Sequence, residues 1–219
     1  MKTFSHWFFL LLFLGCHQST DNSVKGLPVC NNYLGSCASG GPGQYCTFGY
    51  KWGSSNPFSP SGVEIPGPSI KATEISFKFQ DEGFIFKTHS EDNVKSLSFD
   101  DFTKDQIRLA LAEWQSAANA SFVEKTRGDK SDISIILANI NQGGLGYPAF
   151  TNEPCHQIAG SLVMNPKNKT YSSALHEIGH VLGLGHVLSD NVMNPDKFYT
   201  YDHLQSGDLA GIRTIYGSK

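Results

Sequence analysis

Between residues 74 and 79 apolar Ile75, Phe77 and Phe79 alternate with polar Glu74, Ser76 and Lys78, which predicts a strand with one buried face. The period then changes. Ile107, Ala110, Leu111, Trp114 and Ala118 recur at three- and four-residue spacing, one stripe of an amphipathic helix, and Thr103 with Gln106 three positions later reads as the capping box that starts it. Trp114 is a core anchor on that stripe. The runs 121–124, 132–137 and 161–164 are short and apolar enough to be strands. Residues 143–150 form another extended stretch, and Pro148, having no N–H to donate, predicts an edge position for it. A second helix is predicted from the neighbourhood of Thr170 to Ser173, with Leu175, Ile178 and Leu182 inward. A third begins at Ser206 as N-cap, carries Asp208 in its first turn, turns Leu209, Ile212 and Tyr216 inward and stops at Gly217. Together these elements predict an α+β protein. Its five-stranded, mixed, twisted sheet has one edge strand open to a ligand, alongside two long helices and a C-terminal helix.

Before residue 69 no period is sustained. From His17 to Pro68 the chain is rich in Gly, Ser, Asn and Pro, although Tyr45, Phe48, Tyr50, Trp52 and Phe58 argue against full disorder. Lys2 followed by the apolar run 7–14 is a charged start and a segment too short to span a bilayer as a helix, as in an export signal. The chain therefore divides into a signal peptide at 1–15, a tether and cysteine-containing segment at 16–68 that could be a pro-segment, and a main domain at 69–219. At 219 residues and a formal charge of -3, with no basic run, it is a single-core protein for which nucleic acid is excluded as a partner. A monomer is expected. Setting Cys16 aside, Cys30, Cys37, Cys46 and Cys155 are an even set in an exported chain, which predicts two disulfides with all three pairings open.

The chemistry concentrates in His176-Glu177-Ile178-Gly179-His180-Val181-Leu182-Gly183-Leu184-Gly185-His186. Four residues apart on a helix, His176 and His180 present two imidazoles to one point. Gly183 can end the helix in a left-handed conformation, so that His186 returns to the same point. Three imidazoles suit one zinc ion with a fourth position for water, the pattern of a catalytic site. Glu177, one step round the helix, is placed to act on that water as general base rather than to bind the metal. Because the ligands must be neutral, metal affinity is expected to fall below about pH 6.

The eleven residues, with Met193 before Asn194-Pro195, resemble the metzincin signature and its Met-turn. From about Glu74 to Gly217 the chain is similar to the matrixin branch, the matrix metalloproteinase catalytic domain. The likeness rests on Trp114 with Phe122-Val123-Glu124, on 131–135, on Gly143-Gly144-Leu145, and on 208–212 with Tyr216-Gly217. It implies the zincin fold and a zinc-dependent endopeptidase acting on protein or peptide substrates. Met193 would be a hydrophobic floor beneath the metal. Gly144, Leu145, Gly146 and Tyr147 would be the edge that takes a substrate as one more strand, and Pro195, Phe198 and Tyr199 the pocket wall after the cut.

Departures from the family are informative. No histidine is placed to serve a second, structural zinc, so a single Zn2+ is expected, with His89 and His156 left over; calcium is common in the family, but no ligand cluster speaks for Ca2+ here. Gly207 stands where matrixins carry the first of paired aspartates. Cys30 lacks the neighbours of an inhibitory cysteine switch, and a disulfide uses it better. Leu14-Gly15-Cys16 resembles a bacterial lipoprotein signal, in which Cys16 would be lipidated as the new N-terminus, apart from Phe13 where the pattern prefers Leu. That implies a membrane-anchored protein of the periplasm or cell surface, or a secreted one if Cys16 is lost. The rival reading is an exported, non-catalytic zinc-binding or adhesion lipoprotein, which would have no need of Glu177.

Overall fold

The computed structural model describes residues 43–48, 51–52, 72–88, 91, 93–147 and 160–219. In chain order these form β1 (Cys46–Thr47), β2 (Thr73–Phe79), β3 (Ile85–Phe86), β4 (Val94–Leu97), α1 (Asp101–Ala117), β5 (Ala120–Glu124), β6 (Ile133–Ala138), β7 (Gly144–Tyr147), β8 (Ser161–Met164), α2 (Tyr171–Val181), β9 (Leu184–Gly185) and α3 (Ser206–Tyr216).

The five expected strands lie side by side as β5, β2, β6, β8 and β7, with β7 antiparallel to its neighbour and the rest parallel. Two more complete a sheet of seven among the described residues. The hairpin β3–β4, absent from the sequence reading, attaches antiparallel to the end of β6 through Ser96 and Leu97. Its strands are too short for a periodic signal, and the Ser96 hydroxyl, donating to the Asp81 carbonyl at 2.6 Å, helps hold them.

Central β6 explains why 132–137 reads as a nearly continuous apolar run rather than an alternating one. Ile133, Ile135 and Leu137 join the main core, while Ile136 and Ala138 join a smaller cluster with Phe86, Val94, Ile140, Tyr147 and Val163. A strand buried on both faces needs apolar residues on both.

Both outer helices begin differently from expectation. Asp100, not Thr103, caps α1, its Oδ1 accepting the Thr103 N–H at 2.7 Å. Thr103 lies inside the first turn and is fully buried. Two cap-competent residues three positions apart both satisfy the pattern, and Asp100 is the one with the extended backbone a cap requires. For α3 the cap is Gln205, in a reciprocal capping box with Asp208, and Ser206 is the first helical residue. Glutamine is outside the usual capping set, so residue type pointed one position too far. The predicted stripe of α3 also gains Ile215, fully buried, while Leu209 is only partly so.

Candidate metal centre

α2 is held against α1 one residue before its first histidine, where Trp114 Nε1 donates to the Leu175 carbonyl at 2.9 Å. Leu175, Ile178 and Leu182 are buried as predicted, which fixes the rotation of the helix and leaves His176 and His180 together on another side. The helix is capped by Thr170, whose hydroxyl accepts the Ser173 N–H at 3.2 Å. It ends at Leu182, and Gly183 takes a φ of 108°, a conformation that a residue with a Cβ adopts only under strain. The chain thereby reverses into β9 and delivers His186.

The three Nε2 atoms converge. His180 lies 3.1 Å from His176 and 3.0 Å from His186, and His176 lies 3.2 Å from His186. Nitrogens bound about 2.0–2.1 Å from a tetrahedral zinc stand about 3.3 Å apart, so this spacing fits one shared ion. The opposite ring nitrogens fix the tautomers. His176 Nδ1–H donates to the Val192 carbonyl at 2.7 Å and His180 Nδ1–H to the Leu184 carbonyl at 2.8 Å. A carbonyl only accepts, so in both rings the Nε2 lone pair is left pointing inward, where a cation relieves the mutual repulsion. Among the described residues this trio is the one group of His, Cys, Asp and Glu close enough to hold a metal ion.

Burial pushes His176 down to about 4 and His180 well below its usual range. Both therefore remain neutral, the metal-binding form, at pH values where free imidazole is already protonated.

Glu177 is buried beside them. Its burial pushes the carboxyl up to about 8, against a backbone hydrogen bond from Gly146 that pulls it down. β7 can come this close because it has no side chains on that face. A Cβ on Gly144 would lie 2.8 Å from Glu177 Oε1, and one on Gly146 would lie 2.0 Å from the Glu177 carbonyl oxygen. Leu145 and Tyr147 point the other way, into the smaller cluster. Of the four residues assigned to substrate, Tyr147 therefore offers backbone rather than side chain. Among the described residues β7 pairs with β8 alone, so its outer edge is free of other strands.

Met193 is buried under α2, with its Sδ 2.3 Å from where a Cβ on Gly179 would be. The loop that carries it is organised by Asn194 and Asp208, both noted in the sequence but for other roles. Asn194 Nδ2 donates to the Leu188 and Ser189 carbonyls at 3.0 and 2.9 Å. The Asp208 carboxylate accepts the Val192, Met193 and Gln205 N–H groups at 2.9, 3.2 and 2.9 Å. Burial pushes that carboxyl up while these donors pull it down. Asp208→Ala leaves buried donors unpaired, each costing about 1–3 kcal/mol, so urea unfolding is expected to show a loss of about 3 kcal/mol, with Asp208→Asn milder because it keeps one acceptor. A loss under about 0.5 kcal/mol would show that the carboxylate does not organise the loop. Such isolated Asn and Asp residues carry no periodic signal; the Asn before Pro195 was the one local hint.

Beyond the loop, the half-buried Phe198 ring stands 4.7 Å from the His176 ring, and Pro195 is half-buried. Tyr199 is 68% exposed, edge-on to Phe198. Cys16, Cys30, Cys37, Cys155, Pro148, His89 and His156 lie outside the described residues. Cys46 is disulfide-bonded. Among the described residues no helix is long and apolar enough to cross a membrane.

Three converging imidazoles on a helix and its return, with a methionine turn beneath, define a metzincin-type centre. Residues 164–217 match the family model described as matrixin, and residues 86–187 match that of the reprolysin-like M12B metallopeptidases. The chain is 33% identical over 143 residues to Metalloendoproteinase 1 of Glycine max, covering 54% of this chain and 47% of that one. It is 26% identical over 165 residues to Matrix metalloproteinase-C of Caenorhabditis elegans, covering 60% of this chain and 28% of that one. With Serralysin B of Dickeya chrysanthemi it shares 27% identity over 145 residues, 59% of this chain and 29% of the relative. The match thus spans less than half the length of these relatives. Over the matched regions the chain is similar to matrixins and reprolysin-like metallopeptidases, both metzincin families. Those families imply zinc, and the histidine trio could hold it.

Proposed function

We propose that the chain is a zinc-dependent endopeptidase that cuts internal peptide bonds of protein substrates outside the cytoplasm. The observation that carries this is the placement of a buried carboxyl group, Glu177, beside three converging Nε2 atoms and against β7, which among the described residues pairs with β8 alone. His176, His180 and His186 would hold the ion, which when bound supplies a Lewis acid and lowers the pKa of water towards neutrality. Glu177 takes the proton from the attacking water and returns it to the departing amine, and a pKa near neutrality suits it to both transfers. The Gly146 N–H holds the carboxyl in orientation. A peptide adding to the outer edge of β7 is aligned by main-chain hydrogen bonds, and Phe198 supplies an apolar wall beside His176. The relatives' names, metalloendoproteinase and matrix metalloproteinase, agree with this reading. Export, with lipid attachment at Cys16, belongs to the same proposal and rests on residues 1–16.

A casein digest with and without 1,10-phenanthroline tests the activity. Internal fragments are expected, suppressed by the chelator and restored by added zinc. Digestion indifferent to the chelator, or trimming of single residues from chain ends, would overturn the reading.

A further inference from the structure

Residues 43–48 and 51–52 lie upstream of the expected domain start at 69, yet Phe48 and Trp52 belong to the main core cluster. Their contacts concentrate on the turn between the second and third histidines. β1 pairs antiparallel with β9, Cys46 opposite Gly185 and Thr47 opposite Leu184. The Phe48 N–H donates to the Gly183 carbonyl at 2.8 Å, and Trp52 Nε1 donates to the Val181 carbonyl at 2.9 Å. These are carbonyls that the end of α2 leaves without a helical partner. The Phe48 ring stacks on the His180 imidazole, centroids 5.9 Å apart and planes at 27°. Leu184, held by Thr47, is the residue whose carbonyl orients His180.

The other end of the segment rests on α3, where glycines leave room for it. A Cβ on Gly207 would lie 2.3 Å from the Gln44 carbonyl oxygen, and one on Gly211 would lie 2.9 Å from Tyr45 Cβ. Asn191 ties the three parts together, its Nδ2 donating to the Gln44 carbonyl at 2.8 Å while its Oδ1 accepts the Gly207 N–H at 3.1 Å. Tyr45 and Thr214 add a hydroxyl contact at 3.1 Å.

We propose that residues 43–48 and 51–52 are a permanent strap of the metal centre rather than part of a removable leader, and that Phe48 is a positioning residue for His180. The strap fixes the β9 peptide, the peptide fixes the tautomer and tilt of His180, and the ring of Phe48 packs on the imidazole. Any maturation cut must then fall before Gly43. The inference rests on the zinc peptidase reading for its meaning but is tested without substrate.

In the full-length protein, zinc affinity is measured by competition with a chromophoric chelator. Phe48→Ala is expected to weaken binding at least about 10-fold, as removal of outer-shell support does, and Phe48→Tyr to restore most of it. For any substrate cleaved, kcat falls in Phe48→Ala while KM stays near its original value. Should Phe48→Ala fail to fold, Gly207→Ala decides: its Cβ would meet the Gln44 carbonyl and the Asn191 side chain but neither β9 nor a histidine, and it lifts the strap at Gln44, so a severalfold weaker affinity supports the proposal. Unchanged affinity in the folded variants, or N-terminal sequencing of the tightly zinc-binding protein that finds it starting beyond Trp52, overturns it. A protein that binds zinc in this strap-dependent way but cuts nothing would instead overturn the peptidase reading and leave the strap standing.

Discussion

Glu177→Gln is expected to lower turnover at least about 100-fold, the low end for loss of a general base, while zinc content stays stoichiometric and the metal-free protein becomes more stable. The two effects share one cause. In the fold the carboxyl titrates near 8, against an ordinary value of 4.5, because burial disfavours its charge. A folded-state pKa raised in this way means that the protonated group's contribution to stability is complete below pH 4.5 and lost as pH rises towards 8. At pH 7 the difference amounts to at most about 3 kcal/mol, since one pKa unit is about 1.4 kcal/mol. Glutamine keeps the shape and an acceptor for the Gly146 N–H but never has to ionise. For a chain of this size 1 kcal/mol moves the midpoint by roughly 2–4 °C, so the zinc-free variant should melt about 5–10 °C above the parent at pH 8, with little difference at pH 5. Equal melting at both pH values would remove the burial argument. Full turnover by a zinc-loaded variant would remove the general base. A residue that destabilises the fold where it performs chemistry is what selection for activity leaves behind.

The central sheet and the α2 rotation were legible because burial imposes a period on them: Ile75, Phe77 and Phe79 on β2, and Leu175, Ile178 and Leu182 on α2. The ligand histidines were legible because helix geometry dictates their spacing. What the pattern did not disclose depends on single contacts between residues far apart in sequence. Asp100 and Gln205 cap by backbone conformation, which residue type only biases. The two-residue strands β1 and β9 exist through each other, 137 positions apart at the pairing of Thr47 with Leu184 and 139 at that of Cys46 with Gly185. Phe48 and Trp52 could be recognised as ordered aromatic residues, but nothing local said that Phe48 packs on His180 and Trp52 bonds the end of α2. Asn191 shows the same limit: its amide joins strap, loop and α3 at once, and no window of sequence contains all three. Gly207, where the family resemblance leads one to expect aspartate, was the local trace of the strap, since the missing side chain is the room that Gln44 occupies.

Gly146→Ala is expected to be the most damaging single-methyl change among the described glycines. The added Cβ would fall 2.0 Å from the Glu177 carbonyl oxygen and 2.8 Å from His180 Cβ. Neither atom is at the end of a flexible side chain, so β7 itself must retreat from α2. That retreat breaks the Gly146 hydrogen bond to Glu177 and moves the edge on which a peptide would align, and a displacement of about 1 Å in such a site costs about 100-fold. Overpacking of this kind also destabilises by about 1–3 kcal/mol. Gly144→Ala provides the contrast, because the atoms its Cβ would meet, Glu177 Cγ and Oε1 at 2.8 Å, belong to a side chain that can shift. It should preserve stability better than Gly146→Ala while still disturbing the carboxyl. Urea unfolding, zinc content and kcat/KM measured on both variants separate the contributions. Gly146→Ala with parental stability and kcat/KM within a few-fold of the parent would mean that β7 is not pinned on α2, and the proposed alignment of a peptide beside Glu177 would lose its foundation.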